Sequence, residues 1–208
     1  MNPMATAVFV LAAYLLGSLS FAVIVSRVFS LPDPRSYGSG NPGATNVLRT
    51  GRKLAALLTL LGDGGKGWLA VFLATRYAPD YGVDATGVAT CAIAVFLGHV
   101  FPVFFRFAGG KGVATAGGIL LAINLWLGAA ALATWIAVAA FMRYSSLAAV
   151  SAAGLAPLYA FLLFGMSPAL PAVILISAVL VWRHKRNILN LVAGKESRIG
   201  EKRDSTGA

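Results

Sequence analysis

Two glycine-rich segments hold the residue types best suited to chemistry in this chain. In the first, Tyr37-Gly38-Ser39-Gly40-Asn41-Pro42-Gly43-Ala44-Thr45-Asn46, polar side chains stand among glycines, with Arg35 and Arg49 flanking them. Glycine lets backbone N–H groups converge on one point, and the usual guest of such a concavity is an anion. Ser39, Asn41, Thr45 and Asn46 add neutral hydrogen-bonding groups, and Arg49 adds a planar fork that matches a phosphate. Pro42 and the glycines predict a tight turn. An ordinary connection between apolar segments needs turn residues too, but not this many donors with so few acids.

The second segment, Gly109-Gly110-Lys111-Gly112, precedes an apolar run, so an anion there would meet a helix amino terminus. It is not a Walker loop: Phe105 stands where a glycine is needed, and Gly112 follows the lysine in place of Ser or Thr. Read alone, Lys111 is equally a headgroup anchor. Asp63 and Lys66 lie three apart inside an apolar segment and share one helix face. Burying either charge in lipid costs at least about 2.5 kcal/mol, so they must pair or meet a polar cavity. Gly62, Gly64, Gly65 and Gly67 around them permit close helix packing. His99 and His184 both stand near helix ends, where a histidine is either a structural hydrogen-bonder or a base. His184 has the stronger case, one turn from Asn187 and among cations. Ser145 and Ser146 could donate to the same ligand or cap the helix that begins at Leu147.

Some chemistries are excluded. There is no Gly-x-Ser-x-Gly elbow, since Ser39 sits in Gly-Ser-Gly. Neither histidine is followed by an aspartate five positions on. Asp63 has no nearby carboxylate with which to hold magnesium, and the single cysteine, Cys91, excludes a cysteine metal site or an internal disulfide. No metal or cofactor is expected.

The elements that must position these groups are membrane helices. Of 208 residues, 58% are hydrophobic and only 12% charged, about half the charge of a soluble domain. The net charge of +10 lies beside apolar spans, which points to topology and anionic lipid and away from nucleic acid. The amino end lacks the basic stretch of a signal peptide. Apolar segments run over 4–29, 54–75, 85–105, 113–123, 125–142, 147–164 and 169–182. Arg27, Arg35, Arg49, Arg52 and Lys53 load the first loop, Arg106 and Lys111 the loop after the third segment, Arg143 a later turn, and the tail is basic. The positive-inside rule puts all four in the cytoplasm. An even number of crossings must then separate 106–112 from 143–146, so 113–142 is most simply a short helical hairpin turning near Asn124. A single long tilted helix would break that parity. The expectation is an all-α polytopic protein with about seven transmembrane helices, the amino terminus outside and the carboxyl terminus cytoplasmic. Residues 1–198 form one domain, and 199–208 a polar, disordered cytoplasmic tail.

Several of these runs together resemble the bacterial acyl-phosphate:glycerol-3-phosphate acyltransferases. They are Gly38 to Asn46 with Arg49, then Asp63 with Lys66-Gly67, Gly98-His99-Val100-Phe101-Pro102-Val103-Phe104, Gly109 to Thr115, and His184 to Asn187. The resemblance covers nearly the whole chain. It implies a multi-pass enzyme of the bacterial inner membrane with a cytoplasm-facing site. Such an enzyme moves a fatty acyl group from acyl phosphate to the sn-1 hydroxyl of glycerol 3-phosphate, giving lysophosphatidic acid and phosphate for phospholipid synthesis. It implies no acyl-CoA, acyl carrier protein, metal or obligate protein partner. By the same resemblance Arg49, Lys111, Ser146, His184 and Asn187 would hold glycerol 3-phosphate and phosphate. Ser39, Gly40, Asn41, Gly43, Thr45 and Asn46 would cradle acyl phosphate, with Asp63 and Lys66 in support. Either Ser145 or Ser146 could serve, and Ser146, next to Leu147, is preferred.

The expected mechanism is direct acyl transfer by proximity and charge stabilisation, the proton passing either to the departing phosphate or to His184. A transporter of phosphorylated solutes or lipids is the rival reading, because it too would need cationic loops and intramembrane charge.

Overall fold

Every apolar segment expected from the sequence is helical. The structure, a computed structural model, describes residues 2–200. It runs α1 (Pro3–Gly17), α2 (Phe21–Val28), α3 (Ala44–Leu48), α4 (Lys53–Tyr77), α5 (Ala85–Val100), α6 (Val113–Ile123), α7 (Leu125–Met142), α8 (Ser145–Phe164), α9 (Ala169–Arg183) and α10 (Lys185–Val192). No strand occurs among the described residues. Lys53–Tyr81, Ala85–Phe105, Leu125–Met142 and Ser145–Phe164 are long and apolar enough to cross a bilayer, and α1 with α2, bent by 42°, adds a fifth if the pair crosses as one.

The run 113–142 is a hairpin. Asn124 breaks it, and its side chain accepts from the N–H of Trp126 (2.8 Å) and Leu127 (3.2 Å), capping α7. With 11 residues, α6 is about 16 Å long at 1.5 Å per residue, roughly half the hydrocarbon thickness. Its partner α7 has 18 residues. The mismatch is absorbed before α6: residues 103, 104 and 106–108 are exposed, whereas Gly109, Gly110 and Gly112 are buried. The second glycine loop is therefore recessed into the bundle.

Small residues let the helices meet. Methyls added at Gly67 and Gly118 would strike Thr115 O and Gly64 O, so α4 and α6 touch backbone to backbone. Gly17 and Gly98 do the same between α1 and α5. The break between α1 and α2 leaves backbone groups that hydrocarbon could not satisfy. Lys66 donates to Leu19 O at 2.5 Å, and Ser18 Oγ accepts from Val103 N at 3.3 Å. The core joins α1, α4, α5, α6 and α9 around Phe96, Val95 and Ile119.

Of the expected tail, Ile199 N donates to Arg143 O at 2.6 Å; the remainder, 201–208, lies outside the described residues.

Candidate active site

Four stretches distant in sequence meet at one end of the bundle. Thr45 Oγ1 and Ser145 Oγ are 3.5 Å apart, joining the first glycine loop to the turn before α8. Lys111 Nζ donates to Asn187 Oδ1 at 2.6 Å, joining the second loop to α10. Arg49 Nη2 donates to Ser197 Oγ at 3.1 Å, bringing the segment after α10 across the first loop. Between them lies a cavity of about 560 Å³, lined by Ser39, Gly40, Asn41, Arg49, Lys111, Asn187 and others. Arg183, Lys185, Arg186 and Lys195 add cations, and Glu196 is the one acid on the wall among the described residues.

The first loop is held from inside. Asn46, 2% exposed, donates through Nδ2 to Pro34 O (2.7 Å) and Tyr37 O (3.1 Å), while its Oδ1 accepts from Ser39 N (3.0 Å). Gly40 N donates to Tyr37 O (2.9 Å) and Gly43 N to Asn41 O (3.0 Å). These N–H groups thus serve the loop itself, and the loop faces the cavity with the side chains of Ser39, Asn41 and Arg49. Gly38, at φ +60, is required here because a side chain would run into Asn46 and Arg49. Asp33 and Arg35, just before the loop, pair at 2.6 Å, and that guanidinium holds the Asp33 carboxyl below its ordinary value.

The second loop is clamped by Arg183, which donates to Gly109 O (2.9 Å) and Gly110 O (3.3 Å). Burial pulls the Lys111 ammonium below the ordinary lysine value, while the nearby Glu196 carboxylate opposes that shift. Glu196 Oε1 accepts from both Ser146 Oγ and Asn187 Nδ2, each at 2.7 Å. Of the expected ligands, Ser146 and Asn187 are therefore oriented by one carboxylate oxygen.

His184 is 2% exposed, with Nδ1 2.8 Å from Leu180 O. A carbonyl only accepts, so Nδ1 carries the hydrogen and Nε2 is left as an acceptor. Burial pushes its pKa down to about 4. Asp63 and Lys66 are not on the cavity wall but pair at 2.9 Å beneath it. Thr45 reaches Ser145 and Gly43 caps α3; like Asn46, Ser146 and His184, they do not line the cavity.

Sequence reasoning passed over Arg183 and Glu196. Arg183 ends an apolar helix and reads there as a topological charge. Glu196 follows α10 after the Gly194 turn, and its only sequence signal is being a rare acid in a basic tail.

Comparison with known proteins bears on this site. The family model for Glycerol-3-phosphate acyltransferase matches residues 7–194. A glycerol-3-phosphate acyltransferase of Ralstonia nicotianae is 63% identical over 202 residues, covering 97% of this chain and 98% of that protein. One from Cupriavidus pinatubonensis is 64% identical over 200 residues, covering 96% and 99%. The crystal structure of PlsY (YgiH), an integral membrane glycerol 3-phosphate acyltransferase, in its glycerol 3-phosphate form, superposes with a TM-score of 0.87 at 36% identity, covering 94% of this chain and 96% of that one. Its lysophosphatidic acid form gives a TM-score of 0.85 at 35% identity, covering 94% and 95%.

Proposed function

The chain belongs to the glycerol-3-phosphate acyltransferase family, and from that premise we propose that its acyl donor is acyl phosphate and its product lysophosphatidic acid. The reaction runs at the cytoplasmic side of the bacterial inner membrane. The observation that carries this reading is the pooling of Arg49, Lys111, Arg183, Lys185, Arg186 and Lys195 around one cavity of about 560 Å³. A single phosphate does not call for that many cations. Two phosphorylated reactants do, because they repel each other until positive charge screens them.

In this reading Lys111, Arg49, Asn187, Ser146 and His184 hold glycerol 3-phosphate and the departing phosphate. Ser39, Gly40, Asn41, Gly43 and Thr45 border the acyl phosphate, and Asn46 keeps that border in shape. The sn-1 oxygen attacks the acyl carbon, the bond from that carbon to the phosphate oxygen breaks, and phosphate leaves with the hydroxyl proton. The mixed anhydride brings its own leaving group, so no covalent enzyme intermediate is needed. A phosphate whose second pKa is about 6 accepts a proton near neutrality. His184 is the weaker base at about 4, and it serves instead through Nε2 as a neutral acceptor that aims the hydroxyl.

The purified chain, given palmitoyl phosphate and glycerol 3-phosphate, should form lysophosphatidic acid and release phosphate only when both are present. Arg49→Ala and Lys111→Ala should each abolish most of that rate. Acyl transfer from acyl-CoA but not from acyl phosphate would overturn the donor. Movement of glycerol 3-phosphate into vesicles without product would overturn the enzyme reading altogether.

A further inference from the structure

Beneath the cavity lies a cluster of buried ionisable groups that the chemistry above leaves unused. Asp63 and Lys66 are each 3% exposed and His99 8%. Asp63 Oδ1 lies 2.9 Å from Lys66 Nζ and 3.5 Å from His99 Nδ1. The same lysine donates to Leu19 O at the α1–α2 break. The opposite edge of the His99 ring, at Nε2, abuts Gly110 so closely that a methyl group there would collide with it. Pro42 O, from the first loop, borders the same point at Gly110, 3.1 Å from where that methyl would sit. The His99 backbone O accepts from Gly110 N at 3.2 Å. Just past the loop, Thr115 Oγ1 donates to Asp63 O at 2.9 Å. The second glycine loop is thus held at its entry by His99 and beyond its exit by Thr115, both tied to Asp63.

We propose that Asp63, Lys66 and His99 are positioning residues for acyl transfer: a buried cluster that sets the height of the Gly109–Gly112 loop, and so the reach of Lys111 into the cavity. An ion pair inside a bundle is a poor stabiliser, because desolvation offsets most of its Coulomb attraction. It is a good spacer, because charge, hydrogen-bond direction and ring width together allow one arrangement. His99 fills the gap between Asp63 and Gly110, and both His99 and Pro42 of the first loop border Gly110. A shift of the ring would move both glycine loops relative to each other. This inference rests on the reading of the cavity as the substrate site.

The test uses the full-length chain in lipid nanodiscs, with KM for glycerol 3-phosphate and kcat measured separately. His99→Ala should raise KM about tenfold with kcat within about threefold, since a displaced loop weakens ground-state and transition-state grip alike. His99→Asn, which restores a donor toward Asp63, should recover most of the loss. A merely structural role would lower the yield of folded protein and leave both constants per folded molecule unchanged; that result, or wild-type KM in folded His99→Ala, overturns the proposal. Should His99→Ala not fold, the neutral pair Asp63→Asn with Lys66→Met decides it. Raised KM in that double variant supports the proposal, and wild-type KM refutes it. Lys111→Ala run alongside separates the two levels. If it keeps wild-type kinetics, the site reading falls; if it is impaired while the cluster variants are not, only this inference falls.

Discussion

Glu196 offers a substitution that separates geometry from charge. Ser146 and Asn187 both donate to the same oxygen, Oε1, at 2.7 Å. In Glu196→Gln the amide oxygen can take that place and accept both bonds, while the negative charge is gone. A hydrogen bond to a charged group is worth about 1.5–3 kcal/mol and a neutral one about 0.5–1.5, so the clasp should weaken by about 2–3 kcal/mol in total. An opposing term is of similar size. A carboxylate about 6 Å from a bound phosphate, at an effective dielectric constant near 20, repels it by about 3 kcal/mol. The two terms largely cancel in substrate binding. Glu196→Gln should therefore keep kcat/KM within about tenfold of the parent, with KM for glycerol 3-phosphate unchanged or lower. In Glu196→Ala both bonds vanish: Ser146 Oγ and Asn187 Nδ2 lose their acceptor, and Asn187 keeps the bond that its Oδ1 accepts from Lys111. The loss there should be about tenfold to a hundredfold, since the two charged bonds, about 3–6 kcal/mol together, are offset by the same about 3 kcal/mol of relieved repulsion. Lysophosphatidic acid formation from palmitoyl phosphate, measured against glycerol 3-phosphate concentration, reads both variants. Equal damage in Gln and Ala would show that the charge, not the placed oxygen, matters; near-parental kinetics in Ala would show that the clasp orients nothing.

Other outcomes follow from the same geometry. Arg49→Ala should lower kcat/KM by about a hundredfold, and Arg49→Lys should restore only part of it, because an ammonium cannot match a phosphate with a planar fork; steady-state rates check this. His184 is buried with a pKa of about 4 against an ordinary 6.5, so between those values the unfolded chain binds the extra proton. Stability from this group is therefore full above pH 6.5 and falls as pH drops toward 4, by about 3 kcal/mol in all. Thermal unfolding across that window should flatten in His184→Asn, and kcat should show no limb near 6.5 from this residue. Gly67→Ala and Gly118→Ala should each lower the unfolding midpoint through about 1–3 kcal/mol of overpacking, while Gly65→Ala, with no atom near its added methyl, should not.

The parts of this architecture legible in the chain are those written in hydropathy and charge. The charges at Arg106, Lys111 and Arg143 pointed to a helical hairpin over 113–142, and Asn124 supplies its turn. What could not be read is depth and partnership. The half-length α6 looks like any apolar run until its start is seen to be recessed. The Ser39 and Gly43 N–H groups looked available to an anion, but Asn46 and Asn41 sit at distances in sequence that close back on them. Asn46 accordingly shapes the loop from within, a role its residue type does not distinguish from binding. Arg183 escaped notice because a basic residue at the end of an apolar helix has a sufficient topological reason to be there.

The partners of the cavity's cations explain how the fold holds so many of them together. Lys111 rests on the Asn187 amide oxygen, Arg49 on the Ser197 hydroxyl, Arg183 on two glycine carbonyls, and Lys185 over the Trp182 ring at 5.5 Å. Each of these partners is a dipole or a quadrupole. It fixes the side chain without cancelling its charge, so the field stays available to an incoming phosphate. Carboxylates in those places would have held the cations more tightly and left the substrate to displace them. The single exception, Glu196, takes its bonds from Ser146 and Asn187, both neutral. Its charge therefore tunes the pocket while its oxygen aligns two neutral side chains, which is why removing the charge and removing the oxygen should differ in effect.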